Sequence, residues 1–394
     1  MAESTVRSRP PEAVLAYPEA LRGLREILFA NVVMAGEIPA PTGSERRITR
    51  FLSDRFTECG LDNISLDQAG NVAGVISGRT GRRNLLVAAH VDKIWAETED
   101  HTVSVGVGEM SGRGLADNSL GIAVLATLPL VLDELGIHLD ANLILLGTTR
   151  SFGRGNLRGM RFFLENSAWE IASALCLEGI DLGRLSFSSL GMARGEIAVE
   201  RAGLPGEEAS PTADASVIAI LSELTGAMLE IHRRGAPDTS LLIGSIEAGS
   251  GYSVAPRQGR VRFEIRSLDA ARVAEVEAEL AALVERLATR EGTAVRLEII
   301  ARRRPGDLGR GHPLVREAGK ILAALGIASR VEPSVSELAA LLDRRIPSLT
   351  LGLTKGKNRH SPEESISLDP IFDGLAQLVS LLQFMDEGDF ATAP

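Results

Sequence analysis

The chain has 394 residues, of which 44% are apolar, and a formal charge of −10. That length supports one large core and a smaller second one. The acidic balance argues against a general nucleic-acid binder, which needs clustered basic surface, and the short Arg302-Arg303-Arg304 run reads as a solvated strand end. No apolar run reaches the length that crosses a bilayer, and the first residues lack the basic-then-apolar order of a secretory signal. A cytoplasmic protein without a membrane partner is therefore expected. Cys59 and Cys176 are too few for a disulfide framework and read as small buried filler.

Pro18–Val33 is amphipathic and predicts a helix. It runs into the turn Glu37–Glu45, where Thr42 or Ser44 is placed to cap the next helix, Arg46–Cys59, which stops at Gly60. Short strands are expected around Ile64–Leu66 and Val72–Ser77, with Gly70-Asn71 as the turn between them. Leu85–Ala89 is a continuous apolar run, the mark of a strand covered on both faces. Buried strands at Ala141–Gly147 and Ser173–Leu177 alternate with helices at Gly121–Leu135 and Leu157–Leu164. Such alternation predicts an α/β/α sandwich with a mostly parallel sheet.

The pattern changes after about Gly191. Strands are expected at Arg194–Glu200, Ser240–Ile246, Gly259–Arg266 and Val295–Ala301, with long helices at Ala213–His232 and Ala270–Arg290. Two helices on an antiparallel sheet make an inserted α+β domain of ferredoxin-like type. Alternation resumes after Pro305 and ends in a strand at Pro347–Leu353 and a helix at Pro370–Phe384. Residues 1–191 and 304–394 are thus expected to form one domain, and 192–303 an insert.

His90 and Asp92 stand just past the carboxyl end of a buried strand, where loops of an open α/β sheet gather ligands. Asp117 lies in a Gly-rich loop before a helix, which Asn118 could cap. Glu178 follows a buried strand directly, and His360 lies between the last strand and the last helix. Any one of these could be a cap or a satisfied polar residue. Taken as a set, His90, Asp117, Glu178 and His360 point instead to a divalent metal ion.

Read together, Ile38–Glu45, Asp67–Asn71, His90-Val-Asp92, Gly114-Leu-Ala-Asp117-Asn118, Leu177-Glu178-Gly179, Phe263-Glu-Ile-Arg266-Ser and Gly356–Glu364 carry a resemblance over nearly the whole chain. The chain resembles the aminoacylase and tripeptidase (peptidase T-like) family of two-metal exopeptidases and amidohydrolases. The resemblance implies that His90, Asp117 and Glu178 hold one metal, with Asp117 bridging to a second shared with His360. Asp92 would orient an imidazole ligand. It also implies that the outer segments form the metal-binding catalytic domain. The insert would then be a lid and dimerisation domain that pairs the chain as a homodimer or higher homo-oligomer.

The chain departs from that family at the residues of catalysis. Where adjacent glutamates would supply the general base and a ligand, the text is Thr148-Thr-Arg150-Ser151-Phe152-Gly153. Ser151 cannot accept a proton from water at neutral pH, and Phe152 offers no ligand atom. A histidine that would reach the oxyanion is missing from Gly203–Ala209, Tyr252-Ser253 replaces a substrate-contacting Asn, and Val335-Ser336-Glu337-Leu338 replaces a Ser-Thr-Asp-type loop. A positioned base is worth roughly 10²–10⁴ in rate and an oxyanion donor ~10²–10³. Ordinary peptide hydrolysis is expected to suffer accordingly.

The expected function is hydrolysis of a C–N bond in a small carboxylate-bearing molecule by water activated on one Mn²⁺, Zn²⁺ or Fe²⁺ ion, the second metal position being lost. Deamination of an activated aromatic amino acid such as 5-nitroanthranilate suits the loss of oxyanion donors, because an electron-poor ring stores the added charge. Arg150, Ser151 and Asp92 are the candidate catalytic residues, with Arg266, Ser253 and Glu207 as substrate contacts. Arg266 could equally be a structural ion pair within the insert. A peptidase or aminoacylase with Glu207 or Glu208 recruited as base, and a non-catalytic metal-binding relative, are the alternatives.

Overall fold

The computed structural model describes residues 11–201, 216–252, 255–289 and 293–388. The chain divides into two compact units, Met1–Ser189 with Asp307–Pro394, and Leu190–Gly306.

The first unit is built on an eight-stranded sheet. Its order is Asp62–Leu66, Val72–Ile76, Asn142–Thr148, Asn84–His90, Ile171–Glu178, Ser348–Gly352, Arg184–Ser186 and Arg330–Val331. The four central strands, from Asn142–Thr148 to Ser348–Gly352, run parallel, and antiparallel pairs flank them. Successive side chains on a strand point to opposite faces, so each apolar run feeds two layers. Leu85, Val87, Leu143, Leu145, Leu175 and Leu177 enter a core shared with the helices Arg25–Glu37, Leu120–Glu134 and Ile371–Glu387. Leu86, Ala88, Ile144, Leu146, Ala174 and Cys176 pack on the other side against Met160, Phe163 and Leu341. Cys176 is buried as filler there, while Cys59 is only partly buried.

Two local expectations give way. The helix predicted at Pro18–Val33 is instead Pro11–Ala20, a single 3₁₀ turn, and Arg25–Glu37. The stretch Leu115–Glu134 does have the length and apolarity of a membrane span, contrary to the reading of the text alone. Of its most apolar 18-residue window 89% is buried, so its apolar surface is already covered by protein.

The second unit is a four-stranded antiparallel sheet in the order Thr239–Ala248, Gln258–Ser267, Gly191–Arg201, Thr293–Arg303. Its two helices, Val217–Arg234 and Ala270–Ala288, lie on one face, where Ile220, Leu224, Met228, Leu280 and Leu283 close over Ile197, Val199, Val261 and Phe263. This is the ferredoxin-like arrangement. Asp269 caps the second helix by accepting from the Ala271 amide at 2.8 Å. The helix expected to begin at Ala213 is described from Val217 onward.

Candidate metal centre

The parallel strands deliver their last residues to one edge of the first unit. His90 ends its strand in register with Thr148, and Glu178 ends the next in register with Gly352. Loops beyond these ends add Asp117 and His360. The Asp117–Asn118 peptide is cis. Asn118 does not cap the following helix as its sequence position suggested. Its Nδ2 donates to the Leu177 carbonyl at 2.8 Å and so ties the Asp117 loop to the Glu178 strand. Glu364 joins the other two loops: one carboxylate oxygen accepts from the Ala116 amide and the other from the His360 amide, both at 3.1 Å.

Asp117 is the hub. His90 Nε2 lies 2.9 Å from its Oδ1, and His360 Nε2 lies 2.5 Å from its Oδ2. His90, Asp117 and Glu178 are all buried, and each offers a ligand atom within 4.8 Å of the others. Burial works against the charge of Asp117, but hydrogen bonds from His360 and His90 hold its carboxyl well below the usual range. Burial and the adjacent Asp117 charge push Glu178 up to about 7. Burial would lower the pKa of His90, yet the Asp117 hydrogen bond and the surrounding carboxylates raise it well above normal. His360 is raised chiefly by its own bond to Asp117.

Asp92 sits directly behind His90. Its backbone carbonyl is 3.1 Å from His90 Nδ1 and its Oδ1 is 3.7 Å from the same nitrogen. The carboxylate is fully buried; Oδ2 accepts from Thr42 Oγ1 at 2.7 Å and from the Ser151 and Phe152 amides at 2.9 and 3.0 Å, while Oδ1 has no hydrogen-bond partner. Thr42 is therefore engaged with Asp92. The helix Arg46–Glu58 begins at Glu45 without a side-chain cap, because Glu45 Oε1 accepts from the Gly43 and Arg150 amides.

The segment without glutamates turns out to be occupied in its own way. The Phe152 ring lies edge-on to His90, with centroids 5.0 Å apart, and to His360, 6.5 Å away. Beside it the Ser151 hydroxyl donates to Glu337 Oε1 at 2.5 Å, and Thr148 Oγ1 donates to the same oxygen at 3.3 Å. Glu337 is 2% exposed. It was not among the candidates, and the one signal for it was the altered loop Val335–Leu338. Arg150 is half-buried with a positive φ of 54°.

The candidates in the insert are a separate matter. Arg266 pairs with Glu264, as does Arg194, so in the structure it forms the ion pair that was the alternative reading. The two guanidiniums hold Glu264 below the usual carboxylate range despite its burial. Ser253 and Glu207 lie outside the described residues.

The donor set tests well for a divalent cation. Two carboxylates and an imidazole suit Mn²⁺, Fe²⁺ or Zn²⁺. Buried at one point, Asp117 and Glu178 repel each other until a cation offsets them. The Asp117–His360 side has no third donor from the Arg150–Phe152 segment, and a phenyl ring lies against both imidazoles there.

Comparison with known proteins agrees with this picture. Residues 193–291 match the peptidase dimerisation domain of the M20 family. An uncharacterised Escherichia coli K12 protein, YgeY, is 25% identical over 119 residues, a match that spans 29% of this chain and 29% of that protein. In three dimensions the chain is similar to a Staphylococcus aureus tripeptidase, with 17% identity, a TM-score of 0.73 and coverage of 92% of this chain and 99% of the other. Human carnosine dipeptidase 1 superposes with a TM-score of 0.75 at 12% identity, covering 96% and 100% of the two chains. Residues 193–291 thus carry the M20 dimerisation domain, and the chain as a whole shares the fold of those two peptidases.

Proposed function

We propose that the chain is a metal-dependent hydrolase that cleaves a C–N bond of a small molecule at a centre with one complete metal position. The observation that carries this reading is the convergence of His90, Asp117 and Glu178, while among the described residues no further ligand group completes a set with Asp117 and His360. When bound there, a divalent ion lowers the pKa of a coordinated water and polarises the scissile group.

The residues around the ion divide the remaining work. Asp92 fixes the tautomer and tilt of His90, and Glu364 holds the two loops that carry Asp117 and His360 in register. Arg359, whose Nε is buried without a hydrogen-bond partner, pairs with Asp181 and sits within the electrostatic reach of Glu178 and Asp117. We assign a substrate carboxylate to Arg359 exchanging its Asp181 partner, with Arg150 as the alternative cation. Support for 5-nitroanthranilate as the substrate does not come from the similar proteins, and hydrolysis of a small C–N substrate does not depend on it. The M20 dimerisation domain supports pairing of two copies through the insert.

Elemental analysis of purified, metal-replete protein tests the reading, combined with release of amine or ammonium from dipeptides, N-acyl amino acids, ureido compounds and aromatic amino acids. About one Mn, Fe or Zn per chain is expected, with turnover of at least one substrate class. Protein that carries no stoichiometric metal, and whose melting temperature ignores added Mn²⁺, Fe²⁺ and Zn²⁺, would sink it.

A further inference from the structure

The site lacks the glutamate that would take a proton from water, yet a carboxylate does reach that segment from elsewhere in the chain. Glu337, just before the helix Leu338–Asp343, is buried against the end of the Asn142–Thr148 strand. Its Oε1 accepts hydrogen bonds from Ser151 and Thr148, and Thr148 lies opposite His90 in the sheet. Ser151 is itself anchored there, because its amide donates to Asp92, whose carbonyl meets the His90 ring.

A serine hydroxyl alone is a poor base at neutral pH, but one already hydrogen-bonded to a carboxylate can pass a proton on. We propose that Ser151 and Glu337 form the proton-accepting pair of this site and take over the role of the missing glutamate. The inference rests on the hydrolase reading above. As the water oxygen bonds to the substrate carbon, its proton moves to Ser151 Oγ while the serine proton moves to Glu337 Oε1. When the C–N bond breaks, the proton returns by the same route to the leaving nitrogen, and both side chains regain their starting state. Ser151 is the group that meets the water, and Glu337 acts through it as a positioning residue.

The test uses the full-length, metal-loaded protein and the variants Glu337→Gln, Glu337→Asp, Ser151→Ala and the Glu337→Gln/Ser151→Ala double. Glu337→Gln and Ser151→Ala are each expected to lower kcat by roughly 10²–10⁴ with little change in KM. The double variant should fall no further than the worse single, because the two act as a unit. Glu337→Asp should recover part of the rate, and metal content should stay at the wild-type value in all four. Retention of kcat within about threefold in Glu337→Gln overturns the pair and leaves the hydrolase reading standing. Loss of metal in Glu337→Gln overturns it too, since Glu337 would then serve the ion. Ser151→Ala, which changes no charge and leaves Thr148 bonded to Glu337, covers the case in which Glu337→Gln fails to fold: wild-type kcat in that variant is equally fatal. A metal-replete wild type that turns over no C–N substrate overturns both readings together.

Discussion

Phe152 stands T-shaped against His90, with ring centroids 5.0 Å apart and planes at 84°, and its ring centroid lies 6.5 Å from that of His360. An apolar ring thus lies beside the two imidazoles that Asp117 links, in the segment where a second cation would need a carboxylate.

Replacing that ring with a ligand should change the metal count. Phe152→Glu is expected to raise the bound Mn²⁺ or Zn²⁺ from about one to about two per chain, measured by elemental analysis after dialysis. Phe152→Ala should leave the count unchanged, since it opens space without adding a donor. If Phe152→Glu also binds a single ion, the Asp117–His360 side is incomplete for some further reason.

Removing a ligand from the complete set should be far more damaging. His90→Ala or Asp117→Asn is expected to weaken metal binding by at least ~10²-fold, given that even groups behind the ligands contribute 10–100-fold. Isothermal titration with Mn²⁺ or Zn²⁺ reads this directly. Both variants should also lose the rise in melting temperature on adding metal.

Metal affinity should depend on pH with a definite sign. Glu178 is raised to about 7 by burial and by Asp117, against about 4.3 for a free glutamate. Below its folded pKa the side chain carries a proton that the ion must displace, so affinity falls as pH drops through that value. His90, also raised, acts in the same direction. Titration calorimetry from about pH 5.5 to 8 should show affinity climbing by up to tenfold per unit for each proton released, and flattening only where both Glu178 and His90 have lost their protons. An affinity flat across pH 6–7 would mean that neither group carries a proton in the metal-free state.

Lys93 offers a prediction about stability. Its buried ammonium donates to the carbonyls of Ala35, Gly36 and Ile38 at 2.7–3.0 Å, where the helix Arg25–Glu37 ends. A cation there completes the last turn and complements the helix dipole, although burial pushes its pKa down to about 7. Lys93→Met keeps the stem but leaves the carbonyls without a partner, and should cost about 2–4 kcal/mol in urea unfolding. A loss within 0.5 kcal/mol, the range of an ordinary surface substitution, would show that water replaces the ammonium.

The comparison of text and structure is instructive residue by residue. Leu85–Ala89 and Ser173–Leu177 announced buried parallel strands because a strand covered on both faces must be apolar throughout. Their ends therefore announced His90 and Glu178. The insert was legible for the same reason: two long amphipathic helices and alternating strands leave few ways to pack. Thr42 and Asn118 were misjudged because capping is a local rule, and both side chains turn to distant partners, Asp92 and Leu177. Arg266 was ambiguous in the sequence, where nothing shows whether Glu264, two residues away on the same face, satisfies it.

By itself, then, the sequence determined the order of the elements, the strand ends that carry His90 and Glu178 and the loops that carry Asp117 and His360, since hydrophobic period and chain position depend on neighbours along the chain. Only the tertiary structure decided that Asp117 lies between two imidazoles, that Phe152 covers them and that Glu337 reaches Ser151 from 186 positions away. Those outcomes depend on which strand ends meet and on the direction each side chain takes on leaving them, and neither is a property of any local stretch of text.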